Sequence, residues 1–391
     1  MTRICFLFNH DQTHQIAHSL PIALAIARTG KARVTLAATG PRIEAAVRAI
    51  AGPDIARCEL VTLGLTSRAS RLLQGAFEGL VPARKLLLYR DNLDFFRSFD
   101  ALVVSEKTSL LLRSRYGLDD LRIIHTRHGA GDRAIGFGPE SAHFDLILVA
   151  GPKIARRLEN EAGVDPRRIR TIGYSKFDIC MHNRRELGFA DPARPTVLYN
   201  PHPSPRLSSW YTMGTGLLEA FAATGEFNLV FAPHVMMFAR KWTVTVSPPA
   251  ISRMRAPPAR IEASSNIHID LGSSASSDMT YTNMADLYIG DVSSQVYEYL
   301  VNPRPCLFLD AHATNWRGTA DYAHWRAGPV VGPGTDIIAA AREAIASHGD
   351  YLRVQQTMLA DTFSITGEPA AQRGARAIID YLSHDCEEQC A

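Results

Sequence analysis

Three observations predict an α/β fold with two doubly wound domains. Short apolar segments alternate with amphipathic segments from end to end, a polar stretch interrupts this alternation once, and a length of 391 residues suits two domains. Such alternation is typical of a parallel sheet with helices on both faces. We therefore expect two Rossmann-type domains that face a central cleft.

The first domain is predicted at residues 1–178. Its strands are expected in RICFLFN, ARVTLAA, CELVTLG, DALVVSE, RIIHTRH, DLILVAG and RIRTIGY. Its helices are expected in LPIALAIART, RIEAAVRAIA, TSLLLRSRYG and PKIARRLENEAG. The N-terminal apolar run has no small-residue cleavage site, so we interpret it as a buried strand and not as a signal peptide.

A polar segment at 179–195, which ends in DPARP, is interpreted as a linker. The second domain is expected at 196–370, with strands in TVLYNPHP, NLVFAPHV, NIHIDLG, DLYIGDV and PCLFLDA and a helix in WYTMGTGLLEAFAAT. Residues 240–265 are rich in Pro, Arg and Ser and are interpreted as an excursion from this alternation or a loop. A last helical region is expected from Ala339 to Leu382, and residues 371–391 could form a C-terminal helix that crosses back to the first domain.

Composition argues against several classes of protein. A formal net charge of +3, with scattered Arg residues and no basic tail, gives little support to nucleic-acid binding. No apolar run reaches about 18 residues, so no transmembrane helix is expected. The cysteines form no metal-type cluster, which favours a reducing cytoplasm. Peripheral contact with the inner face of the membrane stays open through Trp210, Arg240, Lys241 and Trp242.

The most informative segment is DMTYTNMADLYIGDVSSQVYEYLVNPRPCLFLD, residues 278–310. It is predicted to form a helix, a buried strand, a tight turn, a second helix and a second buried strand. Asp291, Ser293 and Ser294 lie in the turn, where small hydroxyl residues leave backbone N–H groups open to a phosphate. Glu298 lies on the same helical face as Ser294, where a carboxylate can accept hydrogen bonds from sugar hydroxyls. The segment indicates a nucleotide diphosphate site, with an ordinary capped helix as the alternative.

His128 ends a predicted strand and is followed by Gly129, Gly131, Asp132 and Arg133. Glycine on such a loop lets a ligand approach the backbone. Histidine is the side chain best suited to accept a proton from a hydroxyl near neutral pH. Because His, Asp and Arg converge on one loop, we predict a functional loop with His128 as the proton acceptor. A turn histidine beside a salt bridge is the alternative.

Three further candidates lie at strand ends or at the domain junction. His202 and His234 end the first two predicted strands of the second domain, where each could meet a phosphate or accept a hydrogen bond from a hydroxyl. Lys176, in GYSKFD, could hold a phosphoryl oxygen. Asp178 could hold Lys176 or cap the next helix. Ordinary loop positions remain the alternative for each.

His10, His14 and His18 would form a stripe if their segment were helical. No carboxylate or cysteine is spaced to complete a metal site there. We interpret the segment as the start of a helix that faces the cleft, with His14 near the acceptor. No tightly bound cofactor is expected, and a divalent metal, if used, would be held loosely with the donor.

These motifs resemble those of the bacterial CDP-glycerol glycerophosphotransferases, the teichoic acid polymerase and primase type, which have the GT-B fold. The family carries a D-Y-S-S turn followed by an acidic residue, and its counterparts here are Asp286, Asp291, Ser293, Ser294 and Glu298. A His-Gly loop, a domain junction and a second strand-end histidine are matched by His128, Gly129, Gly173, Lys176, Asp178 and His234.

This chain also departs from the family pattern. Val292 replaces the tyrosine of the turn, and Ser175 and Lys176 replace a proline and an arginine. The family's Y-A-P-T segment is here Tyr199 to His202.

The resemblance implies transfer of a glycerophosphate-like group from a CDP-linked donor to an acceptor hydroxyl on a glycan or lipid-linked molecule of the cell envelope. His128 would take the acceptor proton, and His234 with Lys176 or Arg133 would stabilise charge on the phosphoryl group. The catalytic candidates are His128, Asp132, Arg133 and His234. The donor-binding candidates are Lys176, His202, Asp291, Ser293, Ser294 and Glu298.

Two alternatives stay open. A GT-B glycosyltransferase or a sugar-nucleotide epimerase would use the same diphosphate site with a nucleotide sugar. A non-catalytic nucleotide-binding protein of envelope assembly would keep the fold without the chemistry. Fold alone does not choose among them.

Overall fold

The computed structural model describes residues 1–9, 13–70, 83–133, 136–238, 242–246 and 249–389. The chain forms two compact units. The first consists of Met1–His128, Ile135–Ile179 and Asp361–Ala391, and the second of Gly129–Ala134 and Cys180–Ala360. The loop after His128, which the sequence analysis placed in the first domain, thus belongs with the second unit.

The polar segment 179–195, interpreted as a linker, packs against the rest of the second unit. The Asn183 side-chain amide donates to the Asp278 carbonyl at 2.9 Å, and the Ala190 amide donates to the Ser265 carbonyl at 3.1 Å. At the other end, the chain returns to the first unit at Asp361, earlier than the position 371 taken from the sequence.

The first unit contains a seven-stranded parallel sheet in the order β3-β2-β1-β4-β5-β6-β7. Its strands are β1 (Arg3–Phe8), β2 (Arg33–Ala38), β3 (Glu59–Thr62), β4 (Ala101–Val104), β5 (Arg122–Thr126), β6 (Leu146–Val149) and β7 (Ile169–Thr171). Each lies within one of the seven segments predicted as strands.

The second unit contains a six-stranded parallel sheet in the order β12-β9-β8-β13-β14-β15. Its strands are β8 (Thr196–Asn200), β9 (Asn228–Phe231), β12 (Ile267–Ile269), β13 (Leu287–Gly290), β14 (Cys306–Leu309) and β15 (Val330–Val331). Two further strands, β10 (Trp242–Val246) and β11 (Pro249–Arg253), pair as an antiparallel hairpin. Of the two interpretations of residues 240–265, an excursion from the alternation of strands and helices agrees with this hairpin, whereas a loop does not.

The helices of the first unit are α1 (Leu20–Thr29), α2 (Pro41–Ala51), α3 (Ala83–Asp91), α4 (Leu93–Arg97), α5 (Leu111–Ser114), α6 (Pro152–Ala162), α7 (Phe177–Cys180) and α14 (Ala370–Gln389). Those of the second are α8 (Thr215–Ala223), α9 (Ala259–Glu262), α10 (Thr280–Met284), α11 (Gln295–Tyr299) and α12 (Ile337–Ala346). Helix α13 (His348–Thr362) leads back to the first unit. A π-helix, Trp210–Gly214, precedes α8.

Short 3-10 helices complete the described secondary structure, at Thr13–His18, Gly52–Arg57, Thr108–Leu110, Pro139–His143, Pro166–Arg168, Ser274–Ser276 and Ala320–Ala327. His10, the first member of the expected histidine stripe, lies outside the described residues. Because residues 13–18 form a 3-10 helix, positions four apart do not align along it. The α-helical stripe is therefore wrong.

The cores follow from strand alternation. In β1, Ile4, Phe6 and Phe8 pack on one face of the sheet with α1 and α14, whereas Cys5 and Leu7 pack on the other face. Both faces are buried, as expected for a parallel sheet covered by helices on each side. In the second unit the same alternation buries Val197, Tyr199, Leu229 and Phe231 in a core with α8 and α12. Within the described residues, no helix combines the length and apolar character needed to cross a membrane.

Candidate active site

The strand order of the second sheet places its polar residues at a topological switch point. Strands β8 and β13 are neighbours, and the connections that follow them run toward opposite edges of the sheet. Ligands of open α/β sheets bind at the carboxyl ends of strands at such a point. Here β8 is followed by His202, and β13 by the segment Asp291–Ser294, which we call the phosphate turn. The geometry thus selects the region that the sequence motif predicted.

Asp291 organises the phosphate turn. One carboxylate oxygen accepts hydrogen bonds from the backbone N–H groups of His202 at 2.8 Å and Val292 at 2.6 Å. The other accepts from the N–H of Ser209 at 2.7 Å and from its hydroxyl at 2.9 Å. The side chain is fully enclosed, and this burial raises the pKa of the carboxyl group against the opposing effect of the hydrogen bonds. Because protein donors occupy both oxygens, the carboxylate shapes the turn and is not directed at a ligand.

Ser293 and Ser294 differ in exposure. Ser293 is buried, and its hydroxyl accepts a hydrogen bond from the N–H of Gln295 at 3.4 Å. Ser294 is exposed at the start of α11, and its side chain makes no capping hydrogen bond. Among the residues that the structure describes, the amide N–H groups of Ser293 and Ser294 have no acceptor. Helix α11 has only five residues, so these amides and the Ser294 hydroxyl, more than a helix dipole, suit an anion.

His202 and His234 follow adjacent strands and have the same local geometry. In each ring Nδ1 accepts a backbone N–H two residues further on, from Ser204 at 3.0 Å and from Met236 at 3.3 Å. Since Nδ1 is the acceptor, the neutral rings carry their hydrogen on Nε2. The ring centroids are 6.3 Å apart. Both side chains can therefore donate hydrogen bonds without carrying charge.

Burial keeps these two imidazoles neutral. It lowers the pKa of His202 to about 3, with smaller contributions from His234 and Arg133, and it lowers the pKa of His234 to about 4. The sequence analysis expected His234 to stabilise charge on a phosphoryl group. A neutral ring would do so as a hydrogen-bond donor and not as a cation.

Residues 129–133, which we call the glycine loop, lie over the phosphate turn. Gly129 has φ +73°, in the left-handed region that favours glycine. A Cβ atom on Gly131 would be 3.1 Å from the Ser294 Cβ, and one on Gly129 would be 3.7 Å from the Ser294 Oγ. Arg133 lies close enough to His202 to lower the pKa of that ring. The structure thus brings Arg133, His202, His234 and Ser294 into one region of the second unit.

Asp132 was predicted to be catalytic, but its carboxylate is enclosed by protein groups. It is 3% exposed and accepts hydrogen bonds from the hydroxyl of Tyr297, with a further contact to the ring of His324. Glu298, expected to meet a ribose, is likewise buried, although Ser294 on the preceding turn is exposed. Contact between Glu298 and a ribose therefore stays a prediction.

His128 belongs to the first unit, at the carboxyl end of β5. Its Nδ1 lies 2.8 Å from the carbonyl oxygen of Ser105. More than a third of its surface is accessible, yet the protein atoms around the ring are dense enough for desolvation to lower its pKa. The carboxylate of Glu106, next to Ser105, acts in the opposite direction. Because Nδ1 donates to the Ser105 carbonyl, the neutral ring of His128 has a defined tautomer.

Of the two junction residues, Asp178 has a structural role in the first unit. Asp178 accepts hydrogen bonds from the N–H groups of Ala370 at 3.2 Å and Ala371 at 2.7 Å, so it caps α14. This selects the capping alternative for Asp178. Lys176 is 4% exposed.

Sequence reasoning missed three residues of this region: Ser209, Tyr297 and His324. All three are buried and bond to Asp291 or Asp132. A buried tyrosine one position before Glu298 and a histidine in YAHWRA were the available signals. In the described part of the chain, no three His, Cys, Asp or Glu side chains are grouped so as to hold a metal ion.

The fold is that of solved GT-B structures. The wall teichoic acid polymerase TagF is 12% identical, with a TM-score of 0.60 over 100% of this chain and 90% of that chain. A TagF variant soaked with CDPG is 15% identical, with the same TM-score and coverage. A putative UDP-N-acetylglucosamine 2-epimerase from Listeria monocytogenes is 13% identical, with a TM-score of 0.58 over 99% of this chain and 97% of that chain. The sequence matches no family model, and a search of curated proteins finds no match.

Proposed function

We propose that this protein transfers a glycerophosphate-like group from a CDP-linked donor to an acceptor hydroxyl, in the synthesis of a cell-envelope polymer, glycan or lipid. The observation that carries the proposal is the set of hydrogen-bond donors at the switch point of the second sheet. They are the amides of Ser293 and Ser294, the Ser294 hydroxyl and the Nε2–H of His202. The fold shared with a polymerase whose variant was soaked with CDPG supports this donor class.

The second unit binds the donor in this proposal. Backbone N–H groups and neutral imidazole N–H groups suit the oxygens of a diphosphate because they donate without needing a counter-charge. Arg133, beside His202, supplies positive charge near the same oxygens. Lys176 and Glu298 are kept as secondary candidates, since both are buried.

The chemical step assigns the base to His128. The acceptor oxygen attacks the β-phosphorus, a new P–O bond forms, and the bond from that phosphorus to the CMP oxygen breaks. The hydroxyl proton passes to Nε2 of His128, because Nδ1 already donates its hydrogen to the Ser105 carbonyl. His234 and Arg133 stabilise charge on the phosphoryl oxygens and on the departing CMP.

No dedicated metal is needed in this scheme. Neutral and cationic donors would balance the phosphate charge, and a divalent ion would arrive with the donor. The acceptor is a glycan or lipid-linked hydroxyl compound, and the reaction would take place in the cytoplasm or at the inner face of the membrane. Arg240 and Lys241, two residues considered for membrane contact, lie outside the described part of the chain.

The second candidate function is a nucleotide-sugar enzyme, a glycosyltransferase or an epimerase. The shared fold with a putative UDP-N-acetylglucosamine 2-epimerase favours it about as much as the polymerase comparison favours phosphotransfer. Such an enzyme would hold the same diphosphate but break the bond at the sugar carbon. The donor therefore separates the two functions.

A thermal-shift series with CDP-glycerol, CDP, UDP-N-acetylglucosamine and GDP-mannose tests the proposal, because a ligand of the native state raises the unfolding temperature. We expect stabilisation by the two cytidine compounds, and CMP release from CDP-glycerol when an acceptor is present. Stabilisation by a sugar nucleotide alone would favour the second candidate. Tight CDP binding with no product from any donor would indicate a non-catalytic protein.

A further inference from the structure

A buried hydrogen-bond network anchors the glycine loop to the second unit. The Tyr297 hydroxyl lies 2.7 Å and 2.6 Å from the two carboxylate oxygens of Asp132 and donates to them. The backbone N–H of His324 donates to Asp132 at 3.2 Å, and its ring Nδ1 lies 2.9 Å from the same oxygen. We call these three side chains the Asp132 network. All three are at least nine-tenths buried.

The same histidine also reaches the phosphate turn. Its Nε2 donates to the carbonyl oxygen of Asp291 at 2.9 Å, and Trp325 donates its indole N–H to that oxygen at 2.7 Å. Tyr297 lies on α11, the helix that follows the turn. The Asp132 network therefore connects the glycine loop to the first residue of the phosphate turn and to the helix that follows the turn.

The imidazole of His324 and the carboxylate of Asp132 share one proton. A carbonyl oxygen only accepts, so Nε2 of His324 carries a hydrogen. The contact between Nδ1 and the Asp132 carboxylate needs another proton, which is bonded either to Nδ1 or to the carboxylate oxygen. An amide in place of the carboxylate could keep the contacts to two side chains, because its oxygen accepts from Tyr297 and its NH₂ donates to Nδ1 of a neutral ring. The backbone N–H of His324, which meets the same oxygen as Nδ1, would lose its acceptor.

We propose that the Asp132 network is a positioning device that holds the glycine loop closed over the phosphate turn, and that this closed loop sets the affinity for the donor diphosphate. The proposal rests on the proposed function for the identity of the ligand. Its geometric part stands on the bonds of Asp132 to Tyr297 and His324 and on the close approach of Gly131 to Ser294, where an added Cβ would be 3.1 Å from the Ser294 Cβ. Asp132, Tyr297 and His324 would act through these residues and would not touch the ligand.

The test compares Asp132→Ala with Asp132→Asn, and uses Tyr297→Phe as a milder change that removes one hydroxyl. Hydrogen exchange without ligand reports on the loop, and titration calorimetry with CDP reports on the site. We expect faster exchange at residues 129–133 in Asp132→Ala and a dissociation constant for CDP raised about tenfold, the usual cost of losing a buried hydrogen-bonded group. The CDP dissociation constant of Asp132→Asn should stay within about threefold of that of the original protein.

Hydrogen exchange and calorimetry with CDP test separate parts of the proposal. Unchanged exchange at residues 129–133 in a folded Asp132→Ala protein would overturn the positioning role, whatever the ligand is. Faster exchange with unchanged CDP affinity would overturn the link to donor binding. If the original protein does not bind CDP at all, the proposed function fails, while the exchange result still decides the role of the network. Should Asp132→Ala not fold, Tyr297→Phe gives the same comparison with a smaller expected effect.

Discussion

The imidazole of His128 is held by the backbone carbonyl of Ser105, 2.8 Å from its Nδ1. This contact fixes the ring as the tautomer whose Nε2 is basic. The first prediction follows from it. His128→Gln, which keeps a polar group of similar reach without a basic nitrogen, should lower turnover about a hundredfold or more, the usual loss for a general base. Donor affinity and the circular dichroism spectrum should not change. A variant with normal turnover on the true substrate would refute the assignment.

The pH dependence of the original protein is the second prediction. Burial lowers the pKa of His128 below its ordinary value of 6.5, and a base works only when deprotonated. Activity should therefore be level through neutral pH and fall only as the pH drops below 6.5. The measurement is kcat/KM against pH for CDP-glycerol. A rise in activity toward acid pH would contradict the role of His128 as a base.

The third prediction concerns the phosphate turn. Ser294→Ala removes an exposed hydroxyl at the start of α11, so it should weaken CDP binding by about threefold to tenfold with a smaller effect on turnover. The matched control is Ser265→Ala, which replaces an exposed serine shortly before β12, an edge strand of the same sheet. Calorimetry that finds the same CDP affinity in both variants would count against the turn as the diphosphate site.

The fourth prediction is a loss of stability in acid caused by two histidines. Unfolded histidine takes up a proton near pH 6.5, whereas His202 and His234 do so only near pH 3 and pH 4 in the folded protein. The unfolded state then binds more protons in the window from pH 6.5 down to about pH 4, so stability falls as the pH falls through it.

The variant for this prediction is the double change His202→Asn and His234→Asn. The asparagine oxygen can accept the same backbone N–H that Nδ1 accepts, but it does not titrate. Urea denaturation between pH 7 and pH 4.5 should show a shallower decline for this variant than for His312→Asn, which replaces an exposed histidine. An equal decline of stability with falling pH in the two variants would show that His202 and His234 do not cause the loss of stability in acid.

The fifth prediction tests the cap of α14. Asp178→Ala should lower the free energy of unfolding by about 1 kcal/mol, a typical value for a lost helix cap. Asp178→Asn should lose less, because an amide oxygen can still accept from Ala370 and Ala371. Urea denaturation checks both. A loss of turnover without a loss of stability would instead favour the alternative in which Asp178 holds Lys176.

Local patterns in the sequence were sufficient for the seven strands of the first sheet and for five of the six strands of the second, but not for the two-residue strand β15. Each apolar segment is short, β-rich and bounded by turn residues, so its type and position could be predicted. The hairpin was missed because the composition of residues 240–265 was weighed above the alternating Thr and Val of β10. The π-helix at Trp210 has only five residues, which is too short for a spacing pattern to distinguish it from the start of an α-helix.

The role of Asp132 could not be predicted from the sequence. Its partners Tyr297 and His324 are 165 and 192 residues away along the chain, and only the folded second unit brings them together. A polar residue next to a glycine loop suggests chemistry, but its environment decides between catalysis and structure. The same reason applies to Asp291, whose carboxylate accepts hydrogen bonds from His202 and Ser209 in the loop that follows β8, more than 80 residues earlier in the chain.

A crystal structure with CDP bound tests the central claim most directly. We expect the two phosphates within hydrogen-bond distance of the Ser293 and Ser294 amides, with the imidazole Nε2 of His202 on the same oxygens. Density for CDP at any other place in the second unit, or a diphosphate directed away from residues 291–294, would contradict the proposed site.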